Sequence, residues 1–258
     1  MKRVLTALLL IPVVTGVVFY APLWGVLGVM ALAVLLCLHE FYEIADALRM
    51  RPFRLVGYAA GVLLVVSPKL PQPAFFVVLA AALLLLSMQR GRALETSLPG
   101  VASTLFGVIY IAGPFALARE IHAASPHWLF LVLILNWVGD GAAYYAGRAF
   151  GRHKLAPRVS PNKTWEGAIA SGVAAILVGA AYLRYFQPAA LPLFEVVLLA
   201  AAINIAGQFG DLAESALKRG ARVKDSGAIL PGHGGMLDRL DGVLFSFVAA
   251  HVCLTWML

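Results

Sequence analysis

The sequence predicts an all-α polytopic membrane protein of about nine transmembrane helices with a cytoplasmic N-terminus. Three observations lead there. The chain of 258 residues is 61% hydrophobic and only 13% charged, against ~25% charged for a soluble domain. Its apolar residues gather into runs near the ~20 residues that cross a bilayer as a helix. Its basic residues are divided very unevenly between alternate loops.

The runs lie near 4–20, 22–38, 55–66, 74–88, 98–118, 128–147, 165–183, 193–213 and 240–257. The third is the shortest, and a start nearer Phe53 would let Arg54 reach the interface along its aliphatic stem. With the N-terminus inside, the inner segments hold 17 of the 20 Lys and Arg. The outer segments keep Lys69, Arg119 and Arg184. One missed span would invert every later loop and mix the two sets, so the asymmetry supports count and orientation together. The basic and apolar start, MKRVLTALLLIPVV, is like a secretory signal, but no clear A-x-A site follows and further spans do. It reads as an uncleaved first anchor. The net charge of +7 therefore marks cytoplasmic loops, not a nucleic-acid partner. Cys37 and Cys253 fall in opposite leaflets, beyond the ~6 Å between Cα atoms that a disulfide needs. Residues 1–258 read as a single integral membrane domain, with N-terminal helices over 1–120 and the chemistry-bearing helices and cytoplasmic loops over 121–258.

In the first half, His39, Glu40, Glu43 and Asp46 read as a solvated interfacial helix with Glu40 and Glu43 on one face. Five of the six aspartates occur from Asp140 onward. Asp140 lies within a predicted span, where an ionised carboxylate costs roughly 2.5–3.5 kcal/mol on insertion scales. It is expected to face a polar cavity, an ion or a partner. Asn136, Asp140 and Tyr144 repeat every four residues and share a helical face. Downstream, Ser160-Pro161 reads as an N-cap and first helical residue. The helix start would offer free N–H groups to phosphate, with Lys163 and Thr164 beside them.

Asp211, Glu214, Ser215, Lys218 and Arg222 are spaced to form one polar stripe on a helix leaving the membrane. Asp238 and Asp241 open the last span, where the helix dipole favours carboxylates. Between them and the stripe lies Pro231-Gly232-His233-Gly234-Gly235, a turn whose glycines let backbone approach a ligand closely. His233 suits a hydrogen bond to phosphate better than general-base work. Carboxylates from three helices (Asp140, Asp211, Asp238) among Lys and Arg point to Mg²⁺, a cation that takes oxygen ligands and is shared with substrate phosphates. Zinc is disfavoured, because no suitable Cys/His spacing exists.

The stretch Ser215–Asp241 resembles the signature of the phosphatidate cytidylyltransferases. It has Ser215-x-Leu217-Lys218-Arg219, then Lys224-Asp225, His233-Gly234-Gly235 and Asp238-Arg239-x-Asp241. An upstream block is similar to the family's second region: Asp140-x-x-Ala143-Tyr144, Gly147-Arg148, Gly151-Arg152 and Ser160-Pro161-x-Lys163-Thr164-x-Glu166-Gly167. Gly141 departs from it, standing where a hydroxyl residue is common. The resemblance covers roughly the last 120 residues. It implies transfer of CMP from CTP to phosphatidate, with Mg²⁺ (one ion or two), giving CDP-diacylglycerol and pyrophosphate. It also implies a multi-pass protein of a bacterial inner membrane, homodimeric, with membrane lipid around it and its active site on the cytoplasmic side. Metal ligands would be Asp211 and Asp238, with Asp140 and Asp241 near the site. Lys163, Lys218, Lys224 and Arg239 would neutralise the phosphates. Ser215 joins the catalytic set, and Thr164, Arg219, His233, Gly234 and Gly235 the phosphate-binding one.

Three other readings are weaker. A CDP-alcohol phosphatidyltransferase would share Asp238-x-x-Asp241-Gly242, but Phe245-Ser246 replaces the expected Ala-Arg and no acid follows. A CTP-dependent lipid-alcohol kinase would use similar carboxylates and release CDP instead of pyrophosphate. A transporter with Asp140 and Asp211 as ion ligands leaves the neighbouring lysines, arginines and His-Gly-Gly turn without a purpose.

Overall fold

The computed structural model describes residues 2–70, 72–89, 93–186, 191–227 and 234–258. It is overwhelmingly helical. The elements are α1 (Lys2–Tyr20), α2 (Leu23–Ala47), α3 (Arg54–Val66), α4 (Gln72–Ser87), α5 (Ser97–Gly107), α6 (Gly113–Ala124), α7 (Pro126–Phe150), β1 (Lys154–Ala156), β2 (Ser160–Thr164), α8 (Trp165–Phe186), α9 (Leu193–Gly220) and α10 (Leu237–Met257). Each predicted apolar run coincides with a helical segment. Among the described residues, six such segments are long and apolar enough to cross a membrane: α2, the run Leu94–Ala124, α7, α8, α9 and α10. Ile11–Tyr20, Arg54–Val66 and Pro73–Ser87 are apolar but shorter.

Leu94–Ala124 is one span built from unequal parts. α5 and α6 are joined by a π-helical turn over Val108–Ala112. Pro114 follows it; a proline has no N–H to give and its ring crowds the carbonyl four residues back, so the ladder widens locally. α3 begins at Arg54, as the snorkelling argument expects, and the guanidinium bonds Glu43 Oε1 at 2.5 Å and Asp46 Oδ2 at 2.6 Å.

The chain divides into two compact units, one of Met1–Leu10, Ala21–Ala116 and Leu217–Arg239, the other of Ile11–Tyr20, Leu117–Ala216 and Leu240–Leu258. Residues Leu217–Arg239 fold within the first unit.

In the first unit α2, α3 and α5 approach closely around the fully buried Tyr42. A Cβ on Gly57 would lie 2.0 Å from the Tyr42 hydroxyl and one on Gly107 2.8 Å from its ring. The hydroxyl donates to the Thr104 carbonyl at 3.2 Å, which satisfies the polar atom of this ring. In the second unit α7, α8, α9 and α10 share an interior of Leu131, Leu135, Leu199, Ile203 and Leu244. A polar ladder crosses it. The single Ser246 O–H proton lies between two acceptors, Asn136 Oδ1 (3.1 Å) and the Ile203 carbonyl (2.9 Å), and Asn204 Nδ2 donates to Ser171 Oγ (2.8 Å). Small residues make room for it, since a Cβ on Gly207 would sit 2.6 Å from Asn136 Oδ1. The outer faces of the helices are apolar too: Ile169, Val173 and Leu177 are all exposed along α8. Such an exterior suits lipid, where every backbone group must be satisfied within the helix.

Candidate functional site

The loop between α7 and α8 is an antiparallel hairpin with Lys154 opposite Thr164 and Ala156 opposite Ser160. Ser160 and Pro161 therefore belong to strand β2, and the helix start moves to Trp165. A proline on a strand with an open edge costs no ladder bond. The true N-cap is Thr164: its buried Oγ1 accepts the Gly167 N–H at 3.2 Å, the usual service of a hydroxyl at that position. Thr164, expected beside a phosphate, serves this cap. Gly147, Gly151 and Gly167 serve the same corner. A Cβ on Gly151 would fall 2.2 Å from the Gly147 carbonyl, and one on Gly167 2.8 Å from that of Ala143. Glu166, in the first turn of α8, accepts the His153 N–H at 3.2 Å and lies 2.7 Å from His153 Nδ1, pinning the entry to the hairpin.

This hairpin aims Lys163 at α9. Its Nζ lies 2.6 Å from Asp211 Oδ2, and Ser215 Oγ donates to Asp211 Oδ1 at 3.4 Å. The pair is partly solvated, Lys163 25% and Asp211 39% exposed. Asp140 is exposed on α7, while Asn136, one turn earlier, is buried in the polar ladder, so the face they were predicted to share changes character along its length. Asp241 accepts its neighbour Gly242's N–H at 2.7 Å. Beside it α9 and α10 touch through backbone: a Cβ on Gly210 would lie 2.4 Å from the Asp241 carbonyl.

The first unit holds the second pair. Lys218, in the last turn of α9, bonds Asp238 Oδ1 at the start of α10. Asp238 Oδ2 accepts the N–H groups of Ser226 (3.0 Å) and Gly235 (2.8 Å). A nearly buried ion pair is tolerable only when its remaining lone pairs are also satisfied, and three donors meet that need. Gly234 has φ +77, and a Cβ there would come 2.8 Å from Asp238 Oδ2, so both conformation and space require glycine.

Four expectations change. The polar stripe ends early, because α9 stops at Gly220 in a Schellman arrangement: Val223 N–H bonds the Lys218 carbonyl (2.9 Å) and Arg222 N–H that of Arg219 (3.1 Å). Arg222 sits at the cap position with φ 59, off the stripe. Much of that stripe is buried, Glu214 and Lys218 among it. Gly235, read as a place for close ligand approach, is filled by protein: a Cβ would meet Ser226 Oγ at 2.0 Å and Glu40 Oε2 at 2.2 Å. Glu40 does not share a solvated face with Glu43; it is 1% exposed, while Glu43 is in the surface cluster with Arg54. Among the described residues no group of three or more His, Cys, Asp or Glu gathers as a ready metal cage; Asp211 and Asp238 are each held by a lysine. Arg219, Lys224 and Arg239 are exposed. His233 lies outside the described residues.

Sequence reasoning missed Ser226 and left Glu40 as solvated. A signal for Glu40 was present, since it falls on the apolar stripe of α2 with Val34, Cys37, Leu38, Phe41 and Ile44. A carboxylate on such a stripe must have found donors.

The chain matches the model of the Cytidylyltransferase family over residues 1–257. It is 37% identical over 251 residues to the phosphatidate cytidylyltransferase of Brucella suis, covering 94% of this chain and 88% of the relative. It is 37% identical over 215 residues to that of Bacillus subtilis, 78% and 80% of the respective chains. The enzyme of the same name from Haemophilus influenzae is 40% identical over 141 residues, 52% and 49%.

Proposed function

Because the chain belongs to the cytidylyltransferase family of enzymes, we propose that it transfers CMP from CTP to phosphatidate, releasing pyrophosphate and leaving CDP-diacylglycerol in the membrane. The observation that carries this reading is the engagement of two lysines of the resemblance with two of its carboxylates, Lys163 with Asp211 and Lys218 with Asp238. A phosphatidate oxygen attacks the α-phosphorus of CTP; that P–O bond forms as the bond to the β-phosphate oxygen breaks. The attacking oxygen is already anionic, so no strong base is required. The barrier lies in bringing two polyanions together, and fixed cationic donors lower it most effectively.

Lys163 and Lys218 supply such donors. Each holds its ammonium group against a carboxylate and exchanges that partner for a phosphate oxygen when CTP arrives. Exposed Lys224, Arg219 and Arg239 add positive charge for the triphosphate and the lipid headgroup, and His233 donates to phosphate. Mg²⁺ fits the donor chemistry at Asp211, a partly exposed carboxylate beside a hydroxyl, with no thiolate or imidazole among its partners. Asp211 and Asp140 in the second unit, and Asp238 in the first, are the carboxylates that would hold Mg²⁺, one ion or two, which supplies charge neutralisation at the phosphates. We further propose nine spans, a cytoplasmic N-terminus and active site, a bacterial inner membrane and a homodimer, on the strength of the 17-to-3 division of basic residues and the family membership.

The test is the product. Protein purified in detergent, given labelled CTP and phosphatidate, should yield a CMP-bearing lipid and pyrophosphate in equal amounts. Release of CDP with a simple lipid phosphate would refute the reading.

A further inference from the structure

Glu40 belongs to none of the catalytic groups described above, yet three donors converge on its carboxylate. Its Oε1 accepts the Met236 N–H at 2.8 Å, and its Oε2 accepts the Leu237 N–H and the Ser226 hydroxyl, both at 2.8 Å. The two N–H groups open α10, where a helix leaves donors without intrahelical partners and carries positive partial charge. The Ser226 hydroxyl in turn accepts the Asp238 N–H at 3.3 Å, and the Ser226 N–H donates to Asp238 Oδ2. A continuous path therefore runs from Glu40 through Ser226 to Asp238 and on to Lys218.

The glycines flanking this path are placed for Glu40. A Cβ on Gly227 would lie 2.7 Å from Glu40 Oε1, and one on Gly235 2.2 Å from Oε2. Loop backbone from both sides closes onto one carboxylate of α2, nearly two hundred residues away in sequence.

We propose that Glu40 is a positioning residue, an anchor on α2 that fixes the orientation of Asp238 and Lys218 through Ser226 and the first turn of α10. It touches no reacting atom. The role requires two acceptor oxygens, because three donors converge on them. Glutamine has nearly the same shape but presents one NH₂, which would face at least one of those donors with another donor.

The inference deepens the cytidylyltransferase reading and rests on it for its kinetic arm only. The first measurement is independent of activity: hydrogen exchange of the Met236 and Leu237 amides in the full chain. Glu40→Gln should speed their exchange at least tenfold and leave α7 and α8 unchanged; unchanged protection at these two amides would overturn the proposal. The second is kinetic, per mole of monodisperse protein. Glu40→Gln and Ser226→Ala should each lower kcat for CMP transfer about tenfold or more, with KM for CTP changed less than threefold. The double variant should lose little beyond the worse single one, as expected for groups acting in series. A kcat within twofold of the unaltered protein, or losses that multiply, would overturn it. Where Glu40→Gln does not accumulate, Ser226→Ala decides by the same kcat criterion. Glu43→Gln, on the exposed face, should leave kcat and exchange unchanged; a comparable fall there would mean a general effect on α2 and would overturn the assignment. If the unaltered protein transfers no CMP at all, the functional reading fails while the exchange result still judges the anchor.

Discussion

Replacing Asp238 by asparagine separates the structural from the chemical work of its carboxylate. The oxygen facing Ser226 and Gly235 must stay an acceptor, because two N–H groups point at it. The new NH₂ is thereby directed at the Lys218 ammonium. That leaves a positive charge, in a side chain 11% exposed, against a donor instead of an anion. Removing one partner of a fully buried pair costs about 3–5 kcal/mol; the residual solvent here puts the cost near the lower bound, about 3 kcal/mol. At ~2–4 °C per kcal/mol for a chain of this size, the unfolding midpoint in detergent should fall by about 6–12 °C. Adding Lys218→Met removes the stranded charge, and a pair replaced by apolar volume is often neutral. Most of the lost stability should then return, while CMP transfer stays absent. The assay is thermal unfolding of both variants beside product formation from labelled CTP. A midpoint within ~2 °C for Asp238→Asn, or activity restored in the double variant, would refute the reasoning.

The Lys163–Asp211 pair should behave in the opposite way. It is partly solvated, so Asp211→Asn should cost about 1 kcal/mol of stability yet lower CMP transfer by at least ~100-fold; equal losses in both would point to a structural role. Gly234→Ala should destabilise by about 1–2 kcal/mol for its positive φ and reduce activity through the Asp238 contact. Gly141→Ala, with open space around it, should leave unfolding and turnover unchanged. Chelation of divalent cations should abolish turnover and Mg²⁺ should restore it; CTP with Mg²⁺ should raise the unfolding midpoint of the unaltered protein but not of Asp211→Asn, read by the same thermal assay.

Some of this was legible from local pattern alone. Length and apolarity of a run determine whether it forms a helix fit for lipid, and those are properties of contiguous residues. Each run accordingly coincides with a helical segment, with ends displaced: α10 starts at Leu237, where 240 was expected, and α2 continues to Ala47, where 38 was expected. Lys163, Lys218, Asp211 and Asp238 stood out in the sequence as clustered opposite charges in an apolar chain. Their partners were not. Lys218 and Asp238 are twenty residues apart and Lys163 and Asp211 forty-eight, and no periodicity links them.

Sequence by itself determined the helical class and the family membership, and it supplied the residues that the proposed chemistry uses. Tertiary structure alone decided what each polar side chain does. Thr164 caps a helix because a hairpin, set by cross-strand pairing, delays the start of α8. Gly235 gives way to protein because Glu40 arrives there from α2. A helix's propensity is local, but a buried carboxylate takes whichever donors the packing of distant segments delivers to it, and that delivery is written nowhere in the spacing of residues along the chain.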